Sequence, residues 1–167
     1  VDLDELGNRF TLNVAELEGI HRVGAEAAQC IVGHVLSATH VEGTHLNLCQ
    51  VDTGEPQPRQ IICGAPNIAA GQYVPVVLPG MSLGDFTIEE RKVRGHLSSG
   101  MIASESEIGL SDEHDGIMVL TDSPKPGTTL GTLFDVEDIL FEIDNKSLTH
   151  RPDCWGHRGI AREVSAL

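Results

Sequence analysis

Cys30-Ile31-Val32-Gly33-His34-Val35-Leu36 is a short, dense apolar run rich in β-branched residues. It is too short for a buried helix and carries no helical spacing, so it predicts a β-strand with little exposed surface. The same character continues toward the C-terminus. Leu46, Leu48 and Val51 predict a second strand, with a change of phase near Cys49 that a β-bulge there would explain. Gly54-Glu55-Pro56-Gln57-Pro58 is turn chemistry, and Gln60-Ile61-Ile62-Cys63 predicts a third strand. Tyr73 to Leu78 predicts a fourth, closed by Pro79-Gly80, and the alternating stretch Phe86 to Val93 a fifth. Ile117-Met118-Val119-Leu120 reads as a further short strand. Short strands separated by Gly and Pro turns point to a barrel or sandwich.

Outside this region the pattern changes. Asp2 can cap a helix carrying Leu3, Leu6 and Phe10, with Glu5 three residues on as in a capping box. Glu16 to Val23 then predicts a strand ending near Gly24. Between Gly100 and Gly116 the residues Ser104, Glu105, Ser106, Glu107, Asp112, Glu113 and Asp115 predict an acidic, solvated stretch. Asp138 to Ile143 is again β-like. A last helix, capped by Asp153, has Ile160, Val164 and Leu167 on one face and Arg158 and Arg162 on others. The expected fold is mainly β with α/β flanks. A five-stranded barrel over residues 25–143 is inserted into a small, incomplete α+β domain formed by residues 1–24 plus 144–167.

Composition narrows the function. The formal net charge is −14, from 25 acidic against 11 basic residues, which opposes tight nonspecific binding of nucleic acid and of anionic membranes. No secretory signal and no run of about 18 apolar residues appears, so no membrane partner and a cytoplasmic setting are expected. Cys30, Cys49, Cys63 and Cys154 form no CxxC pair, and reduced, buried thiols are expected. The chain begins at Val1 and stops at Leu167 inside the expected helix, so both ends read as cut points in a longer sequence.

Few residue sets could carry chemistry. His40, His45, Cys49 and Cys63 contain zinc-ligand types but lack the tight ligand pairs of structural zinc sites. Ser111-Asp112-Glu113-His114-Asp115-Gly116 lacks the alternating ligands and terminal Glu of a calcium loop. No metal site and no catalytic residue is expected. Ser98-Ser99-Gly100 makes no nucleophile elbow, and neither a P-loop nor GxGxxG occurs, which sets a small hydrolase aside. The one basic cluster is Arg91-Lys92-Val93-Arg94. It reads either as phosphate contact or as a solvated strand end balanced by Glu89 and Glu90.

Several runs together resemble one family. Val51-Asp52-Thr53-Gly54, Gln60 to Ile68, Gly71, Val74 to Gly80, Lys92-Val93-Arg94-Gly95 and Ser99-Gly100-Met101-Ile102 resemble the tRNA-binding OB-fold domains of synthetases. Glu107 to Asp112, His114 to Ile117, Glu142 to Asn145, Arg151 to Cys154 and Gly159 to Glu163 are similar to the N-terminal region of bacterial-type phenylalanine–tRNA ligase beta subunits. The resemblance covers nearly the full chain. It implies an aminoacyl-tRNA synthetase that uses ATP and magnesium, with an alpha subunit as partner in an alpha2-beta2 heterotetramer. By the same resemblance the alpha chain carries aminoacylation and later beta-chain domains carry editing and anticodon contact. This region would then be a non-catalytic, tRNA-binding accessory without a cofactor of its own. Arg91, Lys92 and Arg94, with Ser99 and Met101 of the following run, are its candidate RNA contacts. The alternative is a structural or interface module with little RNA contact. One departure bears on this choice. Where the family usually has His-Pro-Asn-Ala-Asp-Lys-Leu, this chain has His40-Val41-Glu42-Gly43-Thr44-His45-Leu46, which removes a lysine and adds a repelling carboxylate.

Overall fold

A computed structural model describes residues 2–167. In chain order it contains α1 (Leu3–Asn13), β1 (Leu17–Val23), α2 (Ala25–Gln29), β2 (Ile31–His40), β3 (Asn47–Asp52), β4 (Arg59–Cys63) and β5 (Tyr73–Val77). Four short strands follow, β6 (Ser82–Leu83), β7 (Phe86–Thr87), β8 (Arg91–Val93) and β9 (His96–Ser98), and then β10 (Met101–Ile102). The last elements are α3 (Leu130–Leu133), β11 (Asp138–Ile143), 3-10 turns at Asn145–Leu148 and Pro152–Cys154, and α4 (His157–Ala166). The chain divides into two compact units: one running to Arg22 and joined by Asp138–Leu167, the other Val23–Glu137.

The central unit is a five-stranded antiparallel sheet in the order β10-β5-β2-β3-β4. It curls into a nearly closed, OB-like barrel because Ser99 beside β10 donates its backbone N–H to Gln60 O of β4 at 2.8 Å. The long strand β2 makes the curl possible. Its first half pairs with β5 (Ile31↔Val76) and its second half with β3 (His40↔Asn47). The pairing shifts between Val35 and Ser37, so the bulge is at Leu36. This corrects the expectation of a bulge at Cys49. β3 keeps one phase throughout: Cys49 and Val51 are buried, and Leu48 lies on the other side. The irregular residue belongs to the strand that must bend.

Two apolar layers fill the unit. Ile31, Val35, Cys49, Val51, Ile61, Val74 and Val76 pack as one cluster. Ala27, Cys30, Val32, Val77, Leu83, Ile108 and Leu130 form a second. Consecutive residues of β2 thus enter different layers, which explains why Cys30–Leu36 shows no polar alternation. At Gly33 an added Cβ would lie 2.5 Å from Val76 Cγ2 and 2.6 Å from Val51 Cγ1. The barrel is too narrow there for a side chain.

Three further expectations are corrected. Phe86–Val93 is not one strand: it breaks at Ile88–Glu90 into β7, paired with β6, and β8, paired with β9. The fifth barrel strand is the two-residue β10. Ile117–Leu120 is not a strand but a segment held by single bonds, among them Leu120 N–H to Tyr73 O at 2.7 Å. Asn67 supplies what a neighbouring strand would have supplied. Its amide donates to Ile117 O and accepts from Ile117 N–H, both at 2.9 Å. The acidic stretch after Gly100 is anchored, with Ile108 fully buried and Glu107 accepting from the Ser104 N–H and hydroxyl.

In the terminal unit β1 pairs with β11. Asp2 caps α1, its carboxylate accepting from the Asp4 and Glu5 N–H groups. The small core comprises Phe10, Ala15, Leu148 and Cys154, with Ile143, Ile160, Val164 and Leu167 against it. Asp153 does not cap the last helix, contrary to expectation. α4 starts after Gly156, and the Asp153 carboxylate is occupied by Arg151 at 2.9 and 3.0 Å and by Arg162 at 2.6 Å. A charge-assisted, two-pronged guanidinium contact outcompetes a capping bond.

All four cysteines are free and buried. Burial pushes the Cys30 thiol up to about 11 and the Cys49 thiol up to about 12, from an ordinary value of 9.0. Because these values are raised in the folded state, the stability they contribute is complete below pH 9. It is lost as the pH rises toward 11 to 12, where the unfolded chain already gains thiolate. A thiol reagent at neutral pH should therefore label Cys30 and Cys49 only after denaturant is added, and the unfolding midpoint should fall above pH 9. Rapid labelling of the native chain would contradict their burial.

Candidate nucleic-acid interface

The basic cluster sits on a hairpin whose geometry is set by two residues. Val93-Arg94-Gly95-His96 is a two-residue turn with positive φ at both central positions, 51° at Arg94 and 89° at Gly95. That is the type I′ geometry matching strand twist, and it accounts for glycine at 95. Arg94, a non-glycine residue in the left-handed region, stands exposed at the tip.

Three bonds fasten the hairpin to β4, and a fourth, local one orients Ser98. Ile62 N–H donates to Ser98 Oγ at 3.0 Å, and Ser98 Oγ donates to Gly100 O at 3.1 Å. Gln60 Nε2 donates to Leu97 O at 2.7 Å, and Ser99 N–H donates to Gln60 O at 2.8 Å. Gly100, with φ 133°, leads the chain into β10 at a point where an added Cβ would lie 2.9 Å from Val77 O. A side chain there would strike backbone.

Between this hairpin and the outer side of β4 lies a groove of about 340 Å³. Its lining includes Arg91 and Val93 of β8, Phe86 of β7, Glu89, Ile62 of β4 and Met101 of β10. Of the five residues singled out from sequence, Arg91 and Met101 meet here. Lys92, paired with Leu97, alternates away from Arg91 along the strand, and Arg94 is at the turn. Ser99 is half-buried, and its backbone serves barrel closure. None of the three cations forms an ion pair among the described residues, so Glu89 and Glu90 do not balance them directly. Within the central unit the remaining cations are Arg59, held by Glu55 at 2.7 Å, and Lys125. The unit's available positive charge is thus concentrated on one hairpin.

Phe86 and Leu46 of the groove lining were missed from sequence. Phe86 read as the start of a strand, and Leu46 as an ordinary strand residue. No local signal marks either, because their place depends on the loop following β5 meeting the loop preceding β3.

The zinc-type set does not converge. Cys49 and Cys63 are buried in the barrel core, whereas His40 and His45 are exposed. Among the described residues the one cluster of three ligand-type groups is Asp153, Cys154 and Glu163. Arg151 and Arg162 already neutralise its carboxylates, and hydrogen bonding from Arg151 holds the Asp153 carboxyl down at about 2. Those groups do not fit magnesium. Among the described residues no helix is long and apolar enough to cross a membrane.

A nearly closed five-stranded barrel with a groove on its outer strand face, flanked by a basic hairpin, defines an OB-like binding domain. The chain belongs to the family described as putative tRNA binding domain, which matches residues 30–129. It is similar over nearly its whole length to phenylalanine–tRNA ligase beta subunits. It is 43% identical over 166 residues to that of Dechloromonas aromatica, covering 98% of this chain and 21% of the relative. It is 45% identical over 164 residues to that of Nitratidesulfovibrio vulgaris, covering 96% and 20%. It is 42% identical over 179 aligned positions to that of Streptococcus pyogenes serotype M3, covering 100% and 22%. The chain therefore spans about a fifth of the length of these curated relatives. A solved MetRS related protein from Pyrococcus horikoshii is 22% identical, with a TM-score of 0.46 over 61% of this chain and 88% of that one.

Proposed function

We propose that this chain is the N-terminal, non-catalytic region of a phenylalanine–tRNA ligase beta subunit and contributes tRNA binding to that enzyme. The observation that carries this reading is the concentration of Arg91, Lys92 and Arg94, without ion-pair partners among the described residues, beside an open groove in a chain of net charge −14. Local positive charge, not net charge, sets how phosphates meet a surface at physiological salt, because charges more than about 8 Å away are largely screened. In the whole enzyme an alpha subunit completes an alpha2-beta2 heterotetramer, aminoacylation uses ATP and magnesium, and the setting is the cytoplasm. On this reading that chemistry belongs to other parts of the enzyme, in keeping with the arginines that neutralise the carboxylates of Asp153 and Glu163.

The acidic composition, with Glu42 in the loop before β3, favours a second reading: an interface module of the synthetase with little RNA contact. A titration of the purified chain with phenylalanine-specific tRNA transcript, repeated over a salt series, separates the two. Binding that weakens linearly in log–log form as salt rises is expected. No binding at low salt would leave the interface reading. Charging of the transcript with phenylalanine by this chain alone would refute the non-catalytic assignment.

A further inference from the structure

We propose that the groove beside the hairpin takes a single unstacked nucleotide of the RNA, its base laid on Phe86 and its phosphate turned toward Arg91. The inference rests on the RNA-binding reading and goes further by specifying which form of RNA the groove accepts. Phe86 is 56% exposed, in a chain with only four phenylalanines. An aromatic face left open in a cleft is a surface on which any base can stack. The groove, at about 340 Å³, lies at the low end of the range of small-ligand sites, which suits one nucleotide and not a run of them. Its lining divides by chemistry. Ile62 and Met101 offer apolar contact to a base, and Arg91 offers charge to a phosphate. Glu89 in the same lining only accepts hydrogen bonds, so it repels phosphate and suits a base edge bearing N–H donors. A base paired within a double helix is stacked on both sides and presents only its edge. The groove therefore requires a loop, a bulge or a strand end.

The test uses the 167-residue chain with two labelled probes, a short oligoadenylate and a blunt RNA duplex, followed by anisotropy at low salt. The single strand should bind more tightly than the duplex. Phe86→Ala should weaken the single strand by roughly 5- to 150-fold, the usual range for one lost base stack, while the salt slope and duplex binding stay unchanged. Phe86→Trp should retain single-strand affinity. Because Phe86 is largely exposed, the unfolding midpoint of both variants should match the parent, which excludes a folding defect. Equal binding of both RNAs, or single-strand binding indifferent to Phe86→Ala, overturns the proposal. If that indifferent binding is lost when Arg91, Lys92 and Arg94 are neutralised, RNA binding by the hairpin stands and only the nucleotide groove falls. If neither probe binds, both fall together.

Discussion

Neutralising Arg91, Lys92 and Arg94 together, as Arg91→Gln, Lys92→Gln and Arg94→Gln, will weaken tRNA binding at low salt on the order of 100-fold. That is about 0.9 kcal/mol per cation if shared equally. The size follows from counterion release. Each phosphate contact contributes about 0.7 to 0.9 to the slope of log affinity against log salt, so losing three flattens the slope by about 2.1 to 2.7. The slope is the stronger readout, because it counts ionic contacts independently of absolute affinity. A matched control separates local from global charge. Arg9→Gln, Arg22→Gln and Arg158→Gln in the terminal unit also take the formal charge from −14 to −17, yet should leave the slope unchanged. If both triple variants behave alike, the hairpin has no special role and the interface reading gains. All three hairpin cations are exposed, so the barrel itself should be indifferent to the change.

Phe10→Ala is expected to have the largest effect on stability, at about 3 to 5 kcal/mol. Phe10 is fully buried, with its ring centroid 6.4 Å from that of Phe141. The other buried members of its cluster are Ala15, Leu148 and Cys154, all smaller. Removing the largest of four leaves a cavity that so small a core cannot refill. The chain carries its own reporters. Its single tryptophan, Trp155, lies in the terminal unit and donates to Leu148 O at 2.8 Å, and its single tyrosine, Tyr73, lies on β5 of the barrel. In Phe10→Ala the Trp155 emission should change at much lower denaturant, while the Tyr73 transition stays near the parent value. An unshifted Trp155 transition would show that Phe10 is not the keystone of that unit.

Much of the barrel was legible because its signals are local. Val, Ile and Cys runs bounded by Gly and Pro name β2, β4 and β5 through the conformational preferences of each residue and its neighbours. Asp2, three positions before Glu5, names the start of α1 by a bond spanning a single turn. The strings around Gly64-Ala65-Pro66 and Gly100-Met101 carry the family resemblance, and at Gly100 the reason is physical, since its φ of 133° favours glycine. The cation cluster was equally visible as a cluster.

Partners distant in the chain were not legible. Asp153 looked like a helix cap because nothing beside it announces that Arg151 and Arg162 converge on its carboxylate. The bulge falls at Leu36 because β2 must bend to pair with both β5 and β3, a demand that only the closed sheet makes. Phe86–Val93 alternates like one strand, yet it splits into two hairpin arms so that Ser98 and Ser99 can bond to β4 and close the barrel. Asn67 stands in for a missing strand across 50 residues of chain. The groove has the same origin: Phe86, Arg91, Ile62 and Met101 acquire a common cavity only when the sheet curls. Residue type and near neighbours set strand, turn, cap and charge, because those energies act within a few bonds. Register, closure and the meeting of side chains at the groove belong to the tertiary structure, because they depend on which distant backbone donors and acceptors remain to be paired.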